Sequence, residues 1–151
     1  MEQECQVINS FKSNYEKFSN FYPVVIYYEG RNFPSVEHAF VASKTKDWMF
    51  HYKIAMIPVH QAGKAKRLGR RIKIRDDWDM VKIEKMKRFL MQKFSYEELR
   101  EFILSTGDAK IIEGNYWHDN YWGNCYCTKC ASIKGQNQLG KLLMKVRQLV
   151  L

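Results

Sequence analysis

The chain contains no apolar run approaching the roughly 18 residues that a membrane-spanning helix needs, no internal repeat, no low-complexity tract and no linker-like stretch. These absences speak against a bilayer-spanning helix, a repeat array and a disordered tether. Met1-Glu2-Gln3-Glu4-Cys5 offers neither a basic n-region nor an apolar h-region. The N-terminus therefore predicts no signal peptide, and the expected location is cytoplasmic. Acidic residues are in short supply, 16 against 25 lysines and arginines, for a net charge of +9. Cysteine is scarce too: of Cys5, Cys125, Cys127 and Cys130, three crowd into six positions. That is a poor disulfide framework for a chain expected to remain inside the cell.

What the chain does have is enough apolar material for one core. Its 151 residues are 46% hydrophobic and 15% aromatic, which predicts a single domain over residues 1–151. The positive balance predicts an anionic partner. Charge alone does not choose among nucleic acid, nucleotide, sugar phosphate and a charged membrane surface.

The pattern predicts an α+β class: one helix-rich domain with a small β-sheet. Val24-Val25-Ile26-Tyr27-Tyr28 reads as a strand that turns at Glu29-Gly30. Ser35 is placed to cap a helix running to about Lys46. Pro58 suits the first turn of a second helix, which would end near Gly69. Ile72 and Ile74 alternate with basic residues between Arg70 and Arg75, a short strand pattern. Ile83, Met86, Leu90 and Phe94 share one face of a helix from about Trp78 to Lys93. Ser95-Tyr96-Glu97-Glu98 resembles a capping box that opens the next helix, and Thr106-Gly107-Asp108 stops it. Ile111-Ile112-Glu113 reads as a buried strand. A last helix from near Asn137 would bury Leu139, Leu142, Leu143, Val146 and Val150.

Two polar-aromatic segments about 80 residues apart carry the chemistry. In Pro34-Ser35-Val36-Glu37-His38-Ala39-Phe40, Glu37 precedes Lys44 by seven positions, so both project from one helix face. The residues alone permit a capped surface helix with a solvated Glu37. That is the preferred reading of the residues alone; the alternative makes Glu37 a catalytic carboxylate or ribose-hydroxyl ligand, with Lys44 as phosphate clamp or nucleophile. In Tyr116-Trp117-His118-Asp119-Asn120-Tyr121-Trp122-Gly123, the rings are suited to stacking on a base. A carboxylate among them, Asp119, is a candidate acid, and Gly123 would admit close backbone approach. The competing reading is a packed loop in which Asp119 caps a turn. Between the segments, residues 64–75 hold seven basic residues in twelve. They form either a solvated face or a set of arginine forks for phosphate oxygens.

Cys125, Cys127 and Cys130 with His118 make a candidate zinc set. Structural zinc commonly uses two well-separated ligand pairs, and no second pair exists here, so reduced thiols packed in a loop are the preferred expectation and no cofactor is predicted. Gly135-Gln136-Asn137-Gln138-Leu139-Gly140 opens the last helix, whose free N–H groups would suit an anion, although a cap alone explains Asn137.

Taken in order, several pieces resemble the YbiA-like domain of the NADAR superfamily, named for NAD and ADP-ribose. They are Phe18-Ser19-Asn20-Phe21-Tyr22-Pro23, Gly30, Pro34 to Phe40 with Lys44, Ala65-Lys66-Arg67-Leu68-Gly69-Arg70, Arg75 and Trp78. Met86, Lys93-Phe94, Leu104 to Asp108, Ile112-Glu113, Asp119 to Gly123, and Gly135 to Met144 with Arg147 follow. The resemblance covers about residues 11–150. It implies an N-glycosidase that cuts a ribosyl C–N bond, either of ADP-ribose on a guanine base of nucleic acid or of a phosphorylated ribosylaminopyrimidine of riboflavin synthesis. By motif it implies Glu37, Asp119 and Lys44 as catalytic residues. Asn20, Trp122, Gly123, Arg67, Arg70 and Asn137 are implied to bind substrate. The expected partners are a phosphorylated nucleoside or an ADP-ribosylated substrate, nucleic acid included, with no membrane. The cysteine-bearing stretch 125–130 departs from plainer members, in which a short glycine-containing loop stands at this place. A non-catalytic module that binds ADP-ribose or nucleic acid is the competing function.

Overall fold

A computed structural model describes residues 5–151. The four residues before them, on which the expectation of no signal peptide largely rests, lie outside the described part. In chain order the elements are β1 (Val7–Ile8), β2 (Ile26–Tyr28), β3 (Arg31–Phe33), α1 (Val36–Ser43), α2 (Trp48–Ala55), α3 (Ala62–Gly69), α4 (Trp78–Lys93), α5 (Glu97–Ser105), β4 (Lys110–Ile111), β5 (Gly114–Asn115), β6 (Asn124–Cys125) and α6 (Gln138–Leu149), with short 3-10 turns at Ser13–Phe18, Val59–Gln61 and Thr128–Cys130. The class is α+β and helix-rich, as the sequence predicts. The strands form three separate two-stranded pairs.

The chain divides into two compact units, Asn20–Lys93 and the remainder on either side of it. In the Asn20–Lys93 unit, β2 and β3 form an antiparallel hairpin with Ile26 opposite Phe33 and Tyr28 opposite Arg31. Its turn residues Glu29 and Gly30 both have positive φ, 48° and 81°, the conformation that two-residue hairpin turns require. The chain then enters α1 through Ser35, whose Oγ accepts from the His38 N–H at 3.2 Å. Every residue of α1 is buried, because α2, α3, α4 and both strands pack around it. The helix α3 packs closely on α1. A Cβ on Gly69 would stand 2.9 Å from Val41 Cγ1, so only glycine lets α3 come this near without displacing Val41.

Two sequence expectations change here, and one helix appears that the sequence did not predict. Residues 70–75 form no strand; the N–H of Arg75 donates instead to the Lys44 carbonyl at 2.8 Å, and the alternating isoleucines have no neighbouring strand to pair with. The helix α2 lacks an amphipathic signal, since Trp48, Met49 and Tyr52 are exposed. What starts it is Asp47, whose Oδ1 accepts from the N–H groups of Met49 and Phe50. The capping box expected at Ser95 gives way to Tyr96 at the cap position, where no side-chain cap bond forms.

In the other unit, β1 and β4 pair in parallel, Val7 opposite Lys110 and Ile8 opposite Ile111. A second parallel pair sets Gly114 opposite Asn124 and Asn115 opposite Cys125. Phe18 is fully buried among the rings of Phe11, Phe94 and Phe102, with centroids 5.4, 6.1 and 4.9 Å away. The helix α6 buries Leu139, Leu143 and Val146, while Leu142 and Val150 are only half-buried. Arg147 Nη1 donates to Thr106 Oγ1 at 3.0 Å, tying α6 to the end of α5.

Candidate functional site

Glu37 stands in the first turn of α1, where the helix dipole favours a carboxylate, yet it is only 9% exposed. Its backbone N–H donates to the Asn20 carbonyl at 3.0 Å, which fixes Asn20 directly in front of the helix. The Asn20 amide is oriented by a contact of its Nδ2 with Met86 Sδ at 3.7 Å. Its Oδ1 is buried with no hydrogen-bond partner among the described residues. A buried carbonyl oxygen left without a donor costs free energy, and such an acceptor suits a ligand hydroxyl.

Lys44 closes α1 at its C-terminal end, half-buried, with Nζ 5.9 Å from the centre of the Phe40 ring. Phe40 in turn packs on Trp78, ring centroids 5.1 Å apart. Burial pushes the Lys44 ammonium below the usual lysine range; Glu37 pulls it back up, and Lys66 and Arg70 push it further down. One carboxylate and three cations therefore share a field, and the close α3–α1 approach at Gly69 is what brings Lys66 and Arg70 to it. Arg67 and Arg70 are both exposed. Arg75 forms a two-pronged ion pair with Asp77, at 2.5 and 2.9 Å. Sequence reasoning grouped Lys66 with the basic stretch but gave it no role; its register one turn ahead of Arg70 was the available signal. His38 is fully buried, with ring nitrogens at 2.7 Å from Ser35 Oγ and 3.1 Å from the Ile57 carbonyl. Burial lowers its pKa, opposed by the backbone bonds of Ile57 and Pro58. It is a satisfied core residue.

The second segment is organised differently. Asp119 Oδ1 accepts from the N–H groups of Tyr121 at 3.1 Å and Trp122 at 2.9 Å. The Asn115 amide holds the same turn from the other side, donating to the Asp119 carbonyl and accepting from its N–H. Trp122 is half-buried and meets Tyr121 edge-on at 4.9 Å. Gly123 is needed by the protein itself, since a Cβ there would overlap Glu113. Asn137 adopts a left-handed conformation, φ 48°. Its Oδ1 accepts from the Glu113 N–H and its Nδ2 donates to the Ile111 carbonyl. The N–H groups of Gln138 and Leu139 donate to the carbonyls of Tyr121 and Trp122, so these donors at the start of α6 are not open to an anion, contrary to the sequence expectation.

Beside this turn the structure brings His118, Cys125, Cys127 and Cys130 together, one ligand atom from each lying within 4.8 Å of all the others. All three thiols are free. Burial pushes the Cys125 thiol up, but N–H donors from Cys127 and His118 and the neighbouring thiols outweigh it and bring it to about 7. Among the described residues no helix is long and apolar enough to cross a membrane.

Residues 8–150 match the NADAR domain. The chain is 35% identical over 147 residues to N-glycosidase YbiA of Escherichia coli (strain K12), covering 94% of this chain and 87% of that protein. N-glycosidase Npun_R5314 of Nostoc punctiforme (strain ATCC 29133 / PCC 73102) is 38% identical over 145 residues, covering 89% and 85%. Riboflavin biosynthesis protein VVA0006 of Vibrio vulnificus (strain YJ016) is 32% identical over 138 residues, which are 89% of this chain but 35% of that longer protein. The NMR structure of E. coli YbiA superposes with a TM-score of 0.79 at 33% identity, covering 98% of this chain and 87% of that one.

Proposed function

The chain belongs to the NADAR family, and on that premise we propose that it is an N-glycosidase hydrolysing the ribosyl C–N bond of a phosphorylated N-riboside. Two substrate classes fit: ADP-ribose on a guanine base of nucleic acid, and a phosphorylated ribosylaminopyrimidine. The names of its relatives support the reaction and, through the riboflavin protein, the second class. The net charge of +9 suits a phosphate-rich substrate of either kind.

The observation that carries the reading is Glu37, a buried carboxylate whose field reaches a half-buried lysine flanked by two further cations. Breaking the C1′–N bond sends its electron pair to the departing nitrogen and leaves positive charge on the ribosyl carbon. Glu37 steadies that charge and takes a proton from the attacking water, whose oxygen forms the new C1′–O bond. The departing nitrogen takes up one proton. Asn20 Oδ1 accepts from a ribose hydroxyl, and Arg67, Arg70 and Lys66 hold phosphate. Asp119, whose Oδ1 is engaged in its own turn, is given no proton-donor role, and Trp122, Gly123 and Asn137 are given the task of shaping that loop.

The depressed ammonium of Lys44 supports a second route. With the ribose ring opened, the neutral amine bonds to C1′, the base leaves with the C–N electron pair and a proton, and a Schiff base remains that water hydrolyses. Borohydride during turnover separates the two: a reduced adduct on Lys44 establishes the amine route, and full activity without any adduct removes it.

The test of the function is chromatographic. Wild type and Glu37→Gln are incubated with guanine-ADP-ribosylated oligonucleotide and, separately, with ribosylaminopyrimidine phosphate. Wild type is expected to release ADP-ribose or ribose phosphate from one of them, with Glu37→Gln slower by on the order of 10²–10⁴-fold. Tight binding of ADP-ribose without release by wild type would replace the enzyme with a binding module.

A further inference from the structure

We propose that His118, Cys125, Cys127 and Cys130 bind one zinc ion in a closed four-ligand site that locks the loop carrying Asp119. The first support is distance. His118 Nδ1 stands 3.3 Å from Cys127 Sγ, 3.3 Å from Cys130 Sγ and 3.9 Å from Cys125 Sγ. Zinc bonds of about 2.3 Å to sulfur and about 2.0–2.1 Å to nitrogen place tetrahedral ligand atoms roughly 3.5–3.8 Å apart. The three nitrogen–sulfur distances bracket that range, and all four atoms lie within 4.8 Å of one another.

Hydrogen bonding alone does not account for the cluster. A ring nitrogen carries at most one proton, and thiols are weak donors and weak acceptors. Three sulfurs converging on one nitrogen therefore leave most of their capacity unused, whereas a single soft cation between them engages all four at once. The backbone agrees. His118 sits at φ 70°, a left-handed conformation, with its Nδ1 3.3 Å from the Cys130 sulfur. Left-handed backbone at a non-glycine residue is uncommon and marks a position with a task.

The surroundings have the features of an outer shell. The Asn120 side chain accepts from the Cys125 N–H through Oδ1 at 3.0 Å and hydrogen-bonds to the Cys130 sulfur. The Asn120 carbonyl accepts from the Gln136 N–H at 2.8 Å. Asn120 adjoins Asp119, so a metal held here would fix the turn of residues 119–123 and its link to the start of α6. Four protein ligands leave no open position for water or substrate, which makes the site structural.

The test begins with the full chain, expressed with zinc and purified under reducing conditions. Metal analysis after exhaustive buffer exchange is expected to find about one zinc per chain. Anaerobic replacement by Co²⁺ should give the visible bands and sulfur-to-cobalt charge transfer of a tetrahedral thiolate site. Cys127→Ala, at the half-buried ligand, should lose both signals, and a chelator should lower the melting temperature of wild type only. The proposal is overturned if wild type holds neither zinc nor a tetrahedral cobalt spectrum with its thiols reduced. It is equally overturned if two of the three thiols are found as a disulfide in the protein as purified from the cell, or if Cys127→Ala keeps the full metal content and spectrum. The cobalt spectrum of wild type decides the matter even if the variant fails to fold.

Discussion

The two polar-aromatic segments look alike in sequence and do opposite things with their polar groups. Around Glu37 and Lys44, charges are drawn out of water into one another's field, and a buried acceptor on Asn20 has no donor among the described residues. Around Asp119, the turn amides and the first amides of α6 donate to Asp119 Oδ1 or to backbone carbonyls. Unspent polar capacity costs stability unless a ligand uses it; Asn20 Oδ1 keeps such capacity, whereas Asp119 Oδ1 is spent on its own turn. An aromatic-flanked carboxylate is thus weak grounds for catalysis until the partners of its oxygens are known.

The comparison can be broken or sharpened by substitution. The largest expected effect is on turnover. On the amine route, Lys44→Ala should lower kcat by on the order of 10²–10⁴-fold, read in the product-release assay, with a melting temperature close to wild type because Lys44 lies at the helix end. A loss of folding instead would make Lys44 a packing residue. Next comes the structural side. Asn137→Ala removes the bonds to the Glu113 N–H and the Ile111 carbonyl, at a cost on the order of 1–3 kcal/mol. Chemical denaturation should show it, and Asn137→Gly should recover only the part due to the positive φ.

Gly69→Ala tests how the cations are held. The new methyl meets Val41, and the overpacking should cost about 1–3 kcal/mol and raise KM as Lys66 and Arg70 shift. Val41→Ala in the same chain should restore part of both. An unchanged KM would separate the α3–α1 approach from substrate binding.

The last effect is a slope with pH. Lys93 is fully buried, and burial lowers its pKa to about 7. Between that value and the ordinary lysine value of 10.5, the unfolded chain binds the proton that the folded chain has released. Stability should therefore rise with pH across this window, by at most about 1.4 kcal/mol per pH unit. Lys93→Met should remove that slope in denaturation midpoints compared at neutral and alkaline pH. A persisting slope would assign it to other groups.

Much of this was legible in the residues. Ser35 announces α1, the periodicity of Met86 and Leu90 announces α4, and Leu139, Leu143 and Val146 announce α6. Glu37 and Lys44 share a face because seven residues make two turns. What was not legible depends on partners distant in sequence. The alternation at Ile72 and Ile74 carries no information about whether another strand is there to pair with. The helix α2 turns on one capping Asp47 under an exposed aromatic surface, with no stripe to reveal it. Asn137 looks like a simple helix cap until Ile111 and Glu113 are seen at its amide. Residues 118–130 name a candidate zinc set in the sequence, but only the fold shows that His118, on the loop between β5 and β6, comes within 4.8 Å of all three cysteine sulfurs.

The most direct measurement sets Glu37→Gln beside Asp119→Asn under single turnover, with ligand affinity and melting temperature recorded for both. The account predicts that Glu37→Gln keeps its affinity and its melting temperature but loses the bond-breaking step, while Asp119→Asn melts earlier and cleaves normally where folded. An Asp119→Asn chain that is as stable as wild type yet fails to cleave would contradict it and move the chemistry to the second segment.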